Sequence, residues 1–174
     1  MDISIIGEKS LKIRGKLGSF IVDPESTMPK NTADGILLQN PNADSSGISK
    51  VADYRIIVHG SGDYEVGGIK VAAMKRKESL SYRLHADDVE VLLGKSSELS
   101  NDEKIDSCDI LLLNADVNFD EALVAKIDPK VVILYGTGAK EALKKLGKES
   151  LPAVKKYTAA KDKLPEEMET IILG

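Results

Sequence analysis

Asp109-Ile110-Leu111-Leu112-Leu113 and Lys130-Val131-Val132-Ile133-Leu134-Tyr135 are two short apolar runs separated by helical punctuation. Runs of this length and content read as buried strands. Between them, Asn118 and Glu121 frame the start of a helix over Asp120 to Ile127, and Pro129 stands just past its end. After the second run, Ala139 to Leu146 reads as a helix with Gly147 at the left-handed C-cap position. Upstream, Ser100-Asn101-Asp102-Glu103 has capping-box spacing and predicts a short helix to about Asp106. Downstream, Lys156 to Ala160 and Glu169 to Leu173 read as closing strands around the turn Leu164-Pro165-Glu166-Glu167. This half of the chain therefore alternates strand and helix.

The first half has a different rhythm. Ile3 to Ile6, Leu11 to Arg14, Ser19 to Val22, Gly35 to Gln39 and Tyr54 to Val58 read as strands, with a hairpin turn over Gly15 to Gly18. A glycine turn over His59 to Asp63 follows, then the tight pair Gly67-Gly68 leading into Ile69 to Met74. Ser79 to Leu84 and Val89 to Leu93 complete a meander. A β-rich meander leading into alternating strands and helices predicts an α/β (α+β) class of sheets covered by helices. The absence of repeats and long linkers predicts a single domain over residues 1–174. The loop Asn40 to Lys50 is long enough to be functional.

Composition narrows the function. Hydrophobic residues make up 42% and charged residues 30% of 174, which excludes a disordered tail or a collagen-like repeat. The net charge of −4, from 24 basic and 28 acidic residues, argues against nucleic acid as a partner. Two Phe, five Tyr and no Trp make a poor base-stacking platform. The Lys144-Lys145 and Lys155-Lys156 pairs read as solvated surface. Met1-Asp2-Ile3-Ser4 lacks a signal-peptide pattern and the apolar runs are far short of a span, so no membrane association and a cytoplasmic location are expected. Cys108 is the one cysteine and reads as a small buried residue. His59 and His85 are the two histidines, which excludes any site built from three.

Several segments together resemble one family. They are Met1-Asp2-Ile3 to Gly7, Leu11-Lys12-Ile13-Arg14-Gly15, Ile21-Val22-Asp23-Pro24 and Gly62-Asp63-Tyr64-Glu65-Val66-Gly67-Gly68. Leu99 to Glu103, Asp109 to Leu113, Pro129 to Ile133 and Asp162-Lys163-Leu164-Pro165-Glu166-Glu167 complete the set. In order and spacing the chain resembles the Zn-dependent-hydrolase-like branch of the metallo-β-lactamase superfamily. The resemblance implies a four-layer αββα sandwich of two mixed sheets with a metal site at one edge. It also implies a His-x-His-x-Asp-His loop after the strand at Gly35 to Gln39, where this chain has Asn40-Pro41-Asn42-Ala43-Asp44-Ser45. The vestigial metal-site positions are then Glu8, Asn40, Asn42, Asp44, Ser45, Lys95 and Gly136.

Neutral Asn and Ser are poor zinc ligands, and an ammonium at Lys95 repels a cation. No cofactor is therefore expected, and without an activated water the family's hydrolysis does not run. The chain is expected to be a non-catalytic binding or scaffold module, with self-association implied by the family's habit and by exposed sheet ends. The alternative is a diverged hydrolase rebuilt around Glu8, Asp44, His59 and Asp63, with Glu65 as a further oxygen donor. A third reading is a small-anion site at Lys95, Thr137 and Gly138, since helix-start amides favour anions and Thr137 reads as an N-cap. Gly136-Thr137-Gly138 is not a dinucleotide fingerprint, because Glu141 stands where a third glycine belongs.

Overall fold

Alternation of apolar and polar residues builds the first strands of the computed structural model, which describes residues 1–42, 46–100 and 105–174. In β1 (Asp2–Ile5) Ile3 is buried, and in β2 (Leu11–Arg14) Leu11 and Ile13 are buried while Arg14 is exposed. β3 (Ser19–Val22) and β5 (Gly35–Leu37) are buried throughout, with the two-residue β4 (Asn31–Thr32) between them. A 3₁₀ turn (Ser46–Lys50), β6 (Val51–Ala52) and β7 (Ile56–Val58) follow. The meander comprises β8 (Gly62–Val66), β9 (Ile69–Lys75), β10 (Leu80–Ala86) and β11 (Val89–Lys95). Then come α1 (Ser96–Leu99), β12 (Ile110–Asn114), α2 (Ala122–Ile127), β13 (Val131–Tyr135) and α3 (Ala139–Lys145). β14 (Lys156–Thr158), a second 3₁₀ turn (Lys161–Lys163) and β15 (Glu169–Ile172) close the chain.

Two mixed sheets result, one in the order β14-β1-β2-β3-β5-β7 and the other β15-β13-β12-β11-β10-β9-β8. They face each other across one core, in which Phe20, Val22 and Leu37 of the first sheet meet Val91, Leu93, Leu112 and Ile133 of the second. This is the two-sheet sandwich expected from the sequence. The unbroken apolar runs have a simple cause. In β12, Ile110 and Leu112 enter the inter-sheet core, while Leu111 and Leu113 pack outward against Leu99 of α1, Leu123 and Ile127 of α2 and Leu143 of α3. Both faces are covered, so neither face is polar. Outside the first sheet, a smaller cluster of Ile21, Met28, Ala33, Ile36 and Val51 is roofed by the 3₁₀ turn through Ile48. That outer layer is thin because the short chain between β5 and β6 carries no α-helix among the described residues.

At Gly67 and Gly68, φ values of +59° and +70° make the tight turn that two glycines permit. Gly18, at the neighbouring hairpin tip, lies so close that a β-carbon there would sit 2.7 Å from the Gly67 carbonyl oxygen.

α1 starts directly at the end of β11, and the Ser100 amide closes it on the Ser96 carbonyl at 3.1 Å; the helix expected from Ser100 to about Asp106 falls mainly on residues that are not described. The chain must leave β11 at once to cross over to the parallel β12; Asn101 to Lys104 lie outside the described residues. α2 begins at Ala122, whose amide donates to Asp120 Oδ1 at 3.0 Å, so Asp120 rather than Asn118 or Glu121 supplies the side-chain acceptor. Asp63 is a strand residue opposite Ala72, not part of the preceding turn.

Candidate functional site

Parallel strands deliver the loops that follow them to one end of a sheet. β3, β5 and β7 are mutually parallel, as are β11, β12, β13 and β15. The carboxyl ends of β3, β5, β11, β12 and β13 open onto a cleft of about 740 Å³, lined there by Asp23, Asn40, Lys95, Asn114 and Thr137. Glu8, Lys9, Glu25, Glu98, Ser97 and Asp116 contribute the walls.

The second sheet supplies one lateral row. Lys95 pairs in register with Asn114, and Asn114 with Tyr135. Alternation puts the row on the face that Leu93, Leu112 and Ile133 turn toward the first sheet. Tyr135 and Gln39 are fully buried, and the Tyr135 hydroxyl donates to Gln39 Oε1 at 3.1 Å. Asn114 Nδ2 donates to the same oxygen at 3.2 Å. Gln39 Nε2 has no partner among the described residues. Lys95 forms no hydrogen bond or ion pair among the described residues, so its ammonium is an uncommitted donor at the cleft.

Asp23 follows β3 with φ +44°, a left-handed conformation that Asp tolerates. Its Oδ1 accepts the Gln39 backbone N–H at 2.7 Å, and its own N–H donates to the Leu37 carbonyl at 2.9 Å. Burial pushes its carboxyl up to about 6, and the Gln39 amide and the Lys95 ammonium offset this only in part. Burial, with the nearby Asp23 charge, also holds the Tyr82 and Tyr135 phenols well above their ordinary range. Tyr82 donates to the Leu38 carbonyl at 2.6 Å, tying the cleft floor to the core. In the wall, Glu25 Oε2 accepts from the Lys9 and Ser10 amides at 2.8 and 3.2 Å. Asp116 accepts the Ser97 hydroxyl at 2.6 Å and the Asn118 amide at 2.9 Å.

Of the positions singled out in the sequence, Glu8, Asn40, Lys95 and Thr137 line this cleft. Gly136 bends β13 away at φ +86°, Asn42 lies exposed beside Asn40, and Asp44 and Ser45 lie outside the described residues. Gly138 fits an anion site poorly. Its amide already donates to the Ala115 carbonyl at 3.0 Å, and a β-carbon there would sit 2.8 Å from the Asp116 carbonyl oxygen. It is Gly138, not Thr137, that caps α3, with no side-chain hydrogen bond. Asp63 and Glu65 line a separate groove with His85, on the face of β8 to β11, whereas exposed His59 lines neither and its Nδ1 lies 3.2 Å from the Ile57 carbonyl. The structure does not bring His59, Asp63 and Glu65 to Glu8. Cys108 is buried, and burial pushes its thiol up to about 12, so it stays protonated. Asp23, Gln39, Asn114 and Asp116 escaped the sequence reading.

A zinc centre of the kind the resemblance implies needs imidazole, thiolate or carboxylate donors converging at bonding distance. No histidine or cysteine lines the cleft, and no three His, Cys, Asp or Glu residues form a metal-sized group among the described residues. The strand-end positions among the described residues hold one carboxylate, Asp23, with amides, a hydroxyl and an ammonium. These donors do not fit zinc.

No helix among the described residues is long and apolar enough to cross a membrane. No family model and no curated protein matches the chain. Solved structures do match. A protein from Thermotoga maritima, assigned to the Zn-dependent hydrolases of the metallo-β-lactamase superfamily, matches over 99% of this chain and 98% of its own, with TM-score 0.74 and 19% identity. A protein from Parabacteroides distasonis assigned as a metal-dependent hydrolase matches over 84% and 90%, with TM-score 0.57 and 20% identity. An isothiocyanate hydrolase from Delia radicum gut bacteria matches over 91% and 99%, with TM-score 0.57 and 8% identity. At such identities the likeness is one of fold, and the chain has the metallo-β-lactamase fold.

Proposed function

We propose that this chain is a ligand-binding protein built on the metallo-β-lactamase fold without a hydrolytic metal centre, and that the cleft at the strand ends is its binding site. The observation that carries this reading is Lys95. It ends β11 in one row with Asn114 and Tyr135, and at a vestigial metal-site position it places an ammonium with no hydrogen bond or ion pair among the described residues. A fixed positive charge there opposes a divalent ion, and it holds donors ready for a ligand oxygen. Asn114 and Asn40 add amide N–H groups, and Asp23 adds an acceptor from the opposite sheet.

Elemental mass spectrometry tests this, on protein purified without chelator and again after zinc, manganese or iron addition. The expected result is far less than one equivalent of any metal, with a melting temperature unmoved by EDTA. A stable equivalent that EDTA removes with a fall in melting temperature would overturn the reading and return the chain to the metal-dependent hydrolases.

A further inference from the structure

The cleft's lining restricts what it can hold. No aromatic side chain among the described residues lines it, so neither a nucleobase nor a sugar ring finds a face to stack on. Its charges are mixed and unequal: Glu8, Asp23, Glu25, Glu98 and Asp116 face Lys9 and Lys95. Glu25 and Asp116 are engaged with neighbouring amides and hydroxyls. The Lys95 ammonium, the Glu8 and Glu98 carboxylates and Asp23 Oδ2 have no hydrogen bond among the described residues. Beneath the cleft the fully buried Gln39 holds the lining residue Asn114 through its Oε1, and its Nε2 has no partner among the described residues.

We propose that the cleft takes a free basic α-amino acid, its carboxylate on Lys95 Nζ and its α-ammonium and side-chain cation on Asp23 at the floor and on Glu98 and Glu8 at the rim. The proposal rests on the reading of the cleft as a metal-free binding site. A simple anion would satisfy Lys95 but face the excess of carboxylates. A diamine would satisfy the carboxylates but leave Lys95 opposed to a like charge. One carboxylate with two cationic groups matches both.

Isothermal titration with L-lysine and L-arginine tests this, with acetate, phosphate, putrescine and L-lysine methyl ester as the single-feature probes. Elemental analysis of the same sample keeps the two readings apart: a loaded metal overturns the proposed function, whereas metal-free protein that ignores the amino acids overturns this inference alone. The expected Kd for lysine or arginine is about 10 µM to 1 mM. The methyl ester weakens binding about tenfold to a hundredfold, Lys95→Met does the same, and the two losses do not multiply. The ester needs no variant, so the test survives if Lys95→Met folds poorly. Acetate or phosphate binding as tightly as lysine, putrescine binding as tightly and indifferent to Lys95→Met, or no lysine heat up to about 10 mM each overturns the proposal.

Discussion

Tyr135 donates its hydroxyl hydrogen to Gln39 Oε1 at 3.1 Å, joining the second sheet to the first beneath the cleft with neither side chain exposed. Such a bond is worth little while intact and costs more when one partner is left alone. Tyr135→Phe should destabilise the protein by about 1 kcal/mol, since Gln39 Oε1 keeps Asn114 as donor. Gln39→Leu strands the buried phenol and should cost about 1 to 2 kcal/mol. In urea unfolding followed by circular dichroism, the double variant should lose less than the sum of the single losses. Strict additivity would mean that the two groups do not act as a pair.

Asp23 gives the protein a stability term with an unusual sign. Its carboxyl is raised from 3.8 to about 6, so between these values the folded chain binds more protons than the unfolded one. Stability from this group is therefore fully present below about pH 4 and lost as pH rises toward 6 and above. Asn tolerates the same φ and keeps an oxygen for the Gln39 amide. Relative to Asp23→Asn, the wild type should lose about 1 to 3 kcal/mol across that window. A difference that is flat with pH would sink this assignment.

The elements were legible where one face is apolar and local spacing decides. Leu11–Arg14 and Ser19–Val22 have the bounds that alternation and turn residues indicate. The runs at Ile110–Asn114 and Val131–Tyr135 are likewise the strands that their apolar content indicates, covered on both faces. The cleft was legible only in part. Lys95 and Asn40 stood out because a resemblance pointed to their positions. Gln39 did not, because its partners Asn114 and Tyr135 are 75 and 96 residues away and nothing in a five-residue apolar segment tells which polar end turns inward. Gly138 misled for a related reason, since the carbonyl that takes its amide belongs to Ala115, on another strand's loop.

Asp109 immediately precedes β12 and acts as a junction. Its Oδ2 accepts the Glu90 amide at 2.9 Å and the Lys161 ammonium at 2.7 Å, and its carbonyl accepts from Lys130 and Val131. Burial works to raise its carboxyl, but the Glu90 amide, Lys161 and Lys130 together hold it below the ordinary value. Asp109→Ala should cost about 1 to 3 kcal/mol, because the half-buried Glu90 amide loses its acceptor. Lys161→Ala should cost less than about 1 kcal/mol, because that side chain is half exposed and the pair is screened. The sign with pH is opposite to that of Asp23: the Asp109 contribution is present above the ordinary carboxylate value and disappears as pH falls through the lower folded one. Equal losses at Asp109 and Lys161 would contradict this division.

The same electrostatics can be read at Asp23 from its partner's side. Lys95 is the cation whose field favours ionised Asp23, whereas burial and Glu25 favour the protonated form. Lys95→Met removes the positive charge among these influences, so the Asp23 carboxyl should titrate above about 6. Lys9 also lines the cleft but is not among the groups acting on Asp23, so Lys9→Met should leave the titration where it is. Carbon-detected NMR of the Asp23 carboxyl across pH 4 to 9 (about the range bracketing both forms) reads both. An upward shift confined to Lys95→Met places the ammonium close enough to act on the cleft floor. An unmoved titration would mean that the Lys95 side chain spends its time in solvent, and the cleft would then lack the fixed positive charge on which the binding reading depends.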